Sequence, residues 1–188
     1  MNKIDLLLSE ITGCKKCGLV VQCNGVVPPN GTWDSNIVII GEAPGADEDL
    51  LNRPFCGRSG QLLDKLLGKA EIKRENVFVT NVVKCRPPDN RTPTKREIAH
   101  CKGWLWKELQ MVNPKIIITL GKTPTCLLLH LPNTITLGKY VGQPHKPEYL
   151  PDSTIYPWYH PSFLLRKGGN FDEQTVEFLR RIKDEACR

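Results

Sequence analysis

At 188 residues, with 40% hydrophobic and 24% charged residues, the chain is long enough to bury a core and too mixed in composition for disorder. No apolar run approaches the roughly 20 residues that span a bilayer, and residues 1–10 are too short and too acidic for a signal peptide, so a cytoplasmic protein without membrane association is expected. The net charge of +6 leans towards an anionic partner such as nucleic acid, and eight cysteines point to metal or cofactor ligation before disulfides.

Residues 1–12 predict a short amphipathic helix leading into Gly13-Cys14-Lys15-Lys16-Cys17-Gly18. The glycines let the backbone curl so that two thiolates face one centre, and Lys15 and Lys16 offset thiolate charge. Residues 19–35, with Pro28-Pro29-Asn30-Gly31, read as loop. Ile37-Val38-Ile39-Ile40, cut off by Gly41, reads as a buried strand over about 36–40 that ends in a tight turn. That turn, Gly41-Glu42-Ala43-Pro44-Gly45-Ala46-Asp47-Glu48-Asp49, holds four acids in eight residues of a basic chain, with Phe55 beside it. It is either a solvated acidic turn with a helix cap or the wall of a ligand pocket, since open α/β sheets bind ligands where their strands end.

Leu62, Leu63, Leu66 and Leu67 recur at helical spacing and predict a helix from Gly57 to about Ala70 packed on the sheet. Residues 76–83 form the second predicted strand, which runs into a stiff basic loop, Lys84-Cys85-Arg86-Pro87-Pro88-Asp89-Asn90-Arg91. Thr94 is an N-cap with Glu97 as its capping-box partner, opening a helix over about 95–111. A third strand over 115–121 ends at Gly121-Lys122, and a helix from Lys122 to His130 is closed by Pro132. Residues 133–152 carry too much Gly and Pro for more than a short hairpin. The fourth and shortest strand, 153–159, places Pro157 near its edge or end and delivers His160-Pro161-Ser162-Phe163-Leu164-Leu165-Arg166-Lys167. Residues 171–187 predict a final amphipathic helix.

Continuously apolar strands alternating with helices predict a three-layer α/β/α fold around a central, mostly parallel four-stranded sheet, in one domain spanning 1–188. The ends of parallel strands share one edge. Glu42, Asn81, Gly121 with Lys122, and His160 therefore converge on a single site.

Cys14 and Cys17 with Cys85 and Cys101 make four thiols in two pairs. Zinc accepts such a set, although zinc motifs usually repeat the close spacing; the wide second pair suits an iron–sulfur cluster equally well. The other four cysteines read as core thiols. A histidine at a strand end is often structural. Here the apolar tip after it, with Arg166 and Lys167 alongside, suits a wedge pushed into a base stack with its basic flank on phosphates; the alternative is a short helix packing the tip inward. Asn81 either caps its turn or offers the paired donor and acceptor that read a base edge.

Gly-Glu-Ala-Pro-Gly-x-x-Glu-Asp, Pro-Phe-x-Gly-Arg-x-Gly-Gln-Leu-Leu, Thr-Asn-Val-Val-Lys-Cys-Arg-Pro-Pro and His-Pro-Ser-x-Leu-Leu-Arg resemble the type-4 uracil-DNA glycosylases, the iron–sulfur branch of that superfamily. The resemblance runs from about Cys14 to Arg166 with the motifs in the family's order. It implies a [4Fe–4S] cluster on Cys14, Cys17, Cys85 and Cys101, and a monomeric enzyme acting on uracil-containing DNA. It further implies a uracil pocket lined by the backbone of Gly41, Glu42 and Ala43, and a stacking platform at Phe55. Asn81 would bond the uracil edge, Glu48 would close the pocket against the methyl of thymine, and His160 would donate to the oxygen that gains charge. Glu42, Asn81 and His160 are the implied catalytic residues. Lys84, Arg86, Ser162, Arg166 and Lys167 would contact DNA, and Leu164 would be the wedge.

Three departures matter. Ala43 stands where better-known uracil-DNA glycosylases carry an aspartate that positions water, so bond breaking must lean on leaving-group stabilisation. Ala46 and Asp47 replace longer acids of the family at the rim. No histidine-bearing insertion lies between Lys84 and Thr94, which favours hydrolysis over covalent capture. The competing class is a non-catalytic iron–sulfur DNA-binding module associated with replication or repair machinery. A decayed pocket should have lost one of Glu42, Phe55, Asn81 or His160, and none is lost.

Overall fold

The computed structural model describes residues 2–167 and 171–187. Four strands form its sheet: β1 (Ile37–Gly41), β2 (Phe78–Asn81), β3 (Ile116–Leu120) and β4 (Thr154–Trp158). Every residue in them is buried except Trp158, which is half-buried. They lie in the order β2-β1-β3-β4, and every pairing is parallel. The helices are α1 (Lys3–Thr12), α2 (Ala46–Leu51), α3 (Arg58–Lys69), α4 (Lys95–Val112), α5 (Lys122–Leu128), α6 (Pro161–Lys167) and α7 (Phe171–Ala186).

The continuous apolar runs follow from burial on both faces. Ile37, Ile39, Val79, Ile116 and Ile118 point into one core, shared with Leu63, Leu66 and Leu67 of α3, Leu164 of α6, and Val176, Leu179 and Ile182 of α7. Val38, Ile40, Phe78, Ile117 and Ile155 point the other way, onto Leu7 and Ile11 of α1, Leu105 and Leu109 of α4, and Leu128 of α5. The capping box at Thr94 and Glu97 forms as expected: Thr94 N–H donates to the Glu97 carboxylate at 2.7 Å, and Glu97 N–H donates to Thr94 Oγ1 at 3.2 Å.

Both sheet edges are covered, which removes the exposed ladder groups that invite edge pairing. Asn30 exchanges two backbone bonds with Val79 of β2 (2.9 and 2.7 Å). His145 does the same with Ile155 of β4 (2.9 and 2.8 Å), and Gly142 N–H reaches Pro157 O at 2.9 Å. Residues 133–152 thus serve as an edge cover for β4, irregular as expected from their Gly and Pro content, with a 3-10 turn at Leu137–Lys139.

Two segments differ more from expectation. The acidic turn continues into α2, because Asp47, Glu48 and Asp49 occupy its first turn, where carboxylates favour the helix dipole. The stretch after His160 is a helix, α6, and it packs inward. Leu164 is only 2% exposed and belongs to the α3/α7 core, so it is not a projecting wedge. Phe163 stacks on Tyr159 (centroids 4.9 Å apart) and meets Phe171 edge-on. Apolar side chains at 163 and 164 find partners only on the sheet side, which leaves Leu165, 43% exposed, as the outward one. Leu164→Ala should therefore cost about 2–5 kcal/mol in chemical denaturation, while Leu165→Ala should stay within about 0.5 kcal/mol of the parent.

Candidate active site

The carboxyl ends of the strands open into a cavity of about 520 Å³ lined by Glu42, Ala43, Glu48, Phe55, Asn81 and His160, among others. The strand order reverses between β1 and β3, so the cavity lies at the switch point where doubly wound sheets bind ligands. Register sets the first contact. Gly41 and Asn81 are opposite one another at the ends of β1 and β2. A Cβ on Gly41 would collide with Asn81 Oδ1 and would lie 2.6 Å from Phe55 Cζ. Only glycine lets the amide and the ring close over the end of β1. Phe55 itself has φ +52°, a left-handed conformation that costs a non-glycine residue free energy. It is fixed from below by Gly60, whose missing Cβ lets α3 abut the Phe55 carbonyl.

His160 faces Phe55 with ring centroids 6.1 Å apart. The Ser162 backbone N–H donates to His160 Nδ1 at 3.2 Å, and Ser162 Oγ lies 2.8 Å from the same nitrogen. Nδ1 is thereby the acceptor, and the ring proton sits on Nε2. Burial first, and then the charge of Arg166, lower the His160 pKa to about 4. At neutral pH His160 is thus an uncharged Nε2–H donor.

The four acids divide their work. The Thr123 hydroxyl of α5 donates to Glu42 Oε2 across the β1/β3 switch. Glu48 accepts from Gly45 N–H (3.1 Å) and Gly57 N–H (2.9 Å), clamping the starts of α2 and α3 together at the cavity wall. Asp47 also lines the cavity. Asp49 turns away: it is 4% exposed and binds Asn24 through both the backbone N–H and the side-chain amide at 3.0 to 3.2 Å. Asp49 therefore ties the segment just after Cys23 to α2 and leaves the pocket to the other three.

The basic residues also sort differently from expectation. Lys84 is 1% exposed, its ammonium held by Glu108, Thr80 and the Asn81 carbonyl, so it does not reach a phosphate. The buried Glu108 draws it inward, since an unpaired carboxylate there would be costly. Arg86 is half-buried and donates from Nε to Asn90 Oδ1 at 2.8 Å. Arg166 and Lys167 are exposed in the last turn of α6. Arg58 and Arg91, which sequence reasoning gave no role, line the cavity together with Lys122, which it placed at the shared strand edge. Arg91 is also paired with Glu97 at 2.7 Å. The only signal for Lys122 was its place after Gly121, and nothing marked Thr123.

The cysteines cluster against the α1/α4 core: Cys85 and Cys101 are buried there, with Cys14 and Cys17 packed beside them. Cys23 joins them and interacts with Cys85, so the group has five thiols. Of the four expected core thiols, only Cys126 is buried; Cys56 adjoins Glu48, and Cys187 is exposed. Two donors already face the sulfurs: Trp104 Nε1–H to Cys14 Sγ at 3.2 Å, and Lys84 N–H to Cys101 Sγ at 3.3 Å. Burial, reinforced by neighbouring thiols, raises Cys85 strongly and Cys101 to about 11. Among the described residues no three His, Cys, Asp or Glu side chains are grouped closely enough to hold a single metal ion. The donor set is nonetheless soft, drawn from the loop after α1, the loop after β2 and α4, and already supplied with hydrogen bonds to sulfur, which fits a thiolate-held cluster.

A parallel sheet with its cavity at the switch point, an Asn and a glycine at facing strand ends, and a neutral histidine donor define an α/β protein with a polar-lined cavity at its strand ends. The family model described as "Uracil DNA glycosylase superfamily" matches residues 28–183, and the chain belongs to that superfamily. Within it the chain sides with the type-4 branch. It is 38% identical to the type-4 uracil-DNA glycosylase of Thermotoga maritima over 89% of this chain and 85% of that protein. It is 34% identical to that of Archaeoglobus fulgidus over 96% and 92%, and the type-5 enzyme of Pyrobaculum aerophilum matches at 32% over 97% and 93%.

The histidine geometry has a pH signature. His160 should stay neutral through pH 6 to 8 and take up a proton only near pH 4, as read from its ring resonances. An unfolded chain binds that proton near pH 6.5, so stability contributed by neutral burial should fall as pH drops from about 6.5 towards 4. A His160 midpoint near 6.5 would contradict the burial and tautomer given above.

Proposed function

We propose that the chain is a uracil-DNA glycosylase, one catalytic domain over residues 1–188, that hydrolyses the N-glycosidic bond of uracil in DNA and leaves an abasic site. The observation that carries this reading is the approach of Asn81 and Phe55 over the glycine at the end of β1, with His160 facing the Phe55 ring. A base inside a duplex cannot reach such a cavity, so the nucleotide must leave the stack. Phe55 offers the face on which the ring stacks, and the Asn81 amide offers the paired donor and acceptor for its edge.

As the bond between the base nitrogen and the sugar carbon breaks, its electron pair passes to uracil and collects on the ring oxygens. His160 Nε2–H, uncharged and held in place by Ser162, stabilises that charge without needing a proton transfer. Water then adds to the sugar carbon, and its proton balances the departing uracil anion. Ala43 has no group to bind that water. Glu42, next to Ala43 in the chain and fixed by Thr123, is the carboxylate assigned to that water here. Glu48 braces the wall that would meet a thymine methyl. Arg58 and Lys122 at the cavity, with Arg166 and Lys167 on α6, are the phosphate contacts this arrangement favours, and Leu165 replaces Leu164 as the residue to enter the vacated stack.

Cys14, Cys17, Cys85 and Cys101 would hold a [4Fe–4S] cluster, which when bound would link the loops after α1 and β2 to α4 and contribute folding energy rather than a chemical step. Purified protein should be brown with about four irons per chain, and Cys85→Ser should lower soluble yield; colourless protein with stoichiometric zinc would overturn the assignment.

Single-turnover release from a uracil-containing oligonucleotide at saturating enzyme tests the function. His160→Ala should bind that DNA like the parent and cleave about 100- to 1000-fold more slowly. Parental rates in that variant would remove His160 from the reaction, and no release by the parent itself would leave a DNA-binding module in place of an enzyme.

A further inference from the structure

Lys84 and Glu108 form an ion pair with almost no exposure, at 1% and 0%. Such a pair is weak evidence for stability, because desolvation offsets much of the attraction. What the pair touches is more informative. The Lys84 ammonium has three protons and three acceptors: Thr80 Oγ1 at 2.5 Å, the Asn81 carbonyl at 2.8 Å and Glu108 Oε2 at 2.7 Å. Thr80 Oγ1 donates in turn to Glu108 Oε2 at 2.8 Å.

Just past β2 the Val82 and Val83 N–H groups still bond Gly41 O (2.9 Å) and Glu42 O (3.0 Å). The next N–H, that of Lys84, goes to Cys101 Sγ at 3.3 Å, and the Lys84 side chain curls back to take the Asn81 carbonyl. Cys101 and Glu108 both lie buried on α4, two turns apart. A single lysine therefore fastens the end of β2 to α4 at two points, and Asn81 is the residue it fastens. The Asn81 side chain has little tolerance, since Oδ1 already occupies the space a Gly41 Cβ would need.

We propose that Lys84 is a positioning residue for the glycosylase reaction, holding the Asn81 backbone through its ammonium so that the amide meets the base edge, with Glu108 as the buried counter-charge. The proposal rests on the reading of Asn81 as the base-edge contact. It accounts for a buried charge that neither the core nor the DNA surface requires.

The test is a mutant cycle on single-turnover uracil release. Lys84→Met with Glu108→Leu replaces the pair by apolar side chains of similar length, a change that buried ion pairs often tolerate; Lys84→Met with Glu108→Gln, which also leaves no unpaired buried carboxylate, is the second variant should the first fold poorly. Each is made in the parent and in Asn81→Ala, with melting temperature, visible absorption and affinity for abasic-site DNA measured alongside. In the parent, we expect near-parental melting, absorption and abasic-DNA affinity with release slowed about 100-fold, the order of loss that a 1 Å misplacement produces. In Asn81→Ala, which is itself slow, removing Lys84 should slow release no further, because the two act through one contact. Parental release without Lys84, or a slowing that multiplies with that of Asn81→Ala, would overturn the proposal. Parental release by Asn81→Ala alone would instead overturn the reading of Asn81 beneath it.

Discussion

The site depends on one close approach, the Asn81 amide and the Phe55 ring closing over a backbone that has no Cβ at Gly41. The parallel register puts Gly41 beside Asn81, and the reversal of strand order at β1/β3 leaves a crevice above them. Everything else at that edge holds these groups still. Gly60 lets α3 support Phe55 in its left-handed conformation, Ser162 sets the tautomer of His160, and Thr123 pins Glu42 from across the switch.

Charge is distributed to the same end. A basic chain keeps an acidic segment at its pocket because those carboxylates are mostly engaged. Glu48 satisfies two helix starts at the cavity wall, and Asp49, turned away from the cavity, holds Asn24, so both are structural braces. The cations split between the cavity, the exposed end of α6 and the interior. The interior one, Lys84, shares its donors between Cys101 of the thiol group and the Asn81 carbonyl at the end of β2, which joins the two regions.

The sheet was legible because burial on both faces leaves runs such as Ile37-Val38-Ile39-Ile40 and Ile116-Ile117-Ile118 that no solvated element carries. Convergence of Glu42, Asn81 and His160 followed from parallel topology alone, and the family likeness supplied their chemistry. What escaped were features decided by tertiary partners. Pro44 and Gly45 disguised α2, whose acids are good first-turn residues once Gly57 supplies a second donor for Glu48. The stretch at 161–167 looked like an exposed apolar tip because nothing local reveals that Leu164 meets α3 and α7. Lys84 reads as a surface lysine until Glu108, 24 residues on, is seen beneath it. Cys23 had no spacing partner, and only the fold brings it to Cys85.

The measurement that bears most directly on this account is uracil release by Gly41→Ala, with melting temperature and DNA affinity followed in parallel. One methyl at the end of β1 must displace the Asn81 amide and the Phe55 ring. Release should fall about 100-fold or more, as expected for reacting groups moved by about 1 Å, while the protein still folds and still binds DNA. Release within about twofold of the parent, a difference under about 0.5 kcal/mol, would mean that the close approach at Gly41 is not what organises the site.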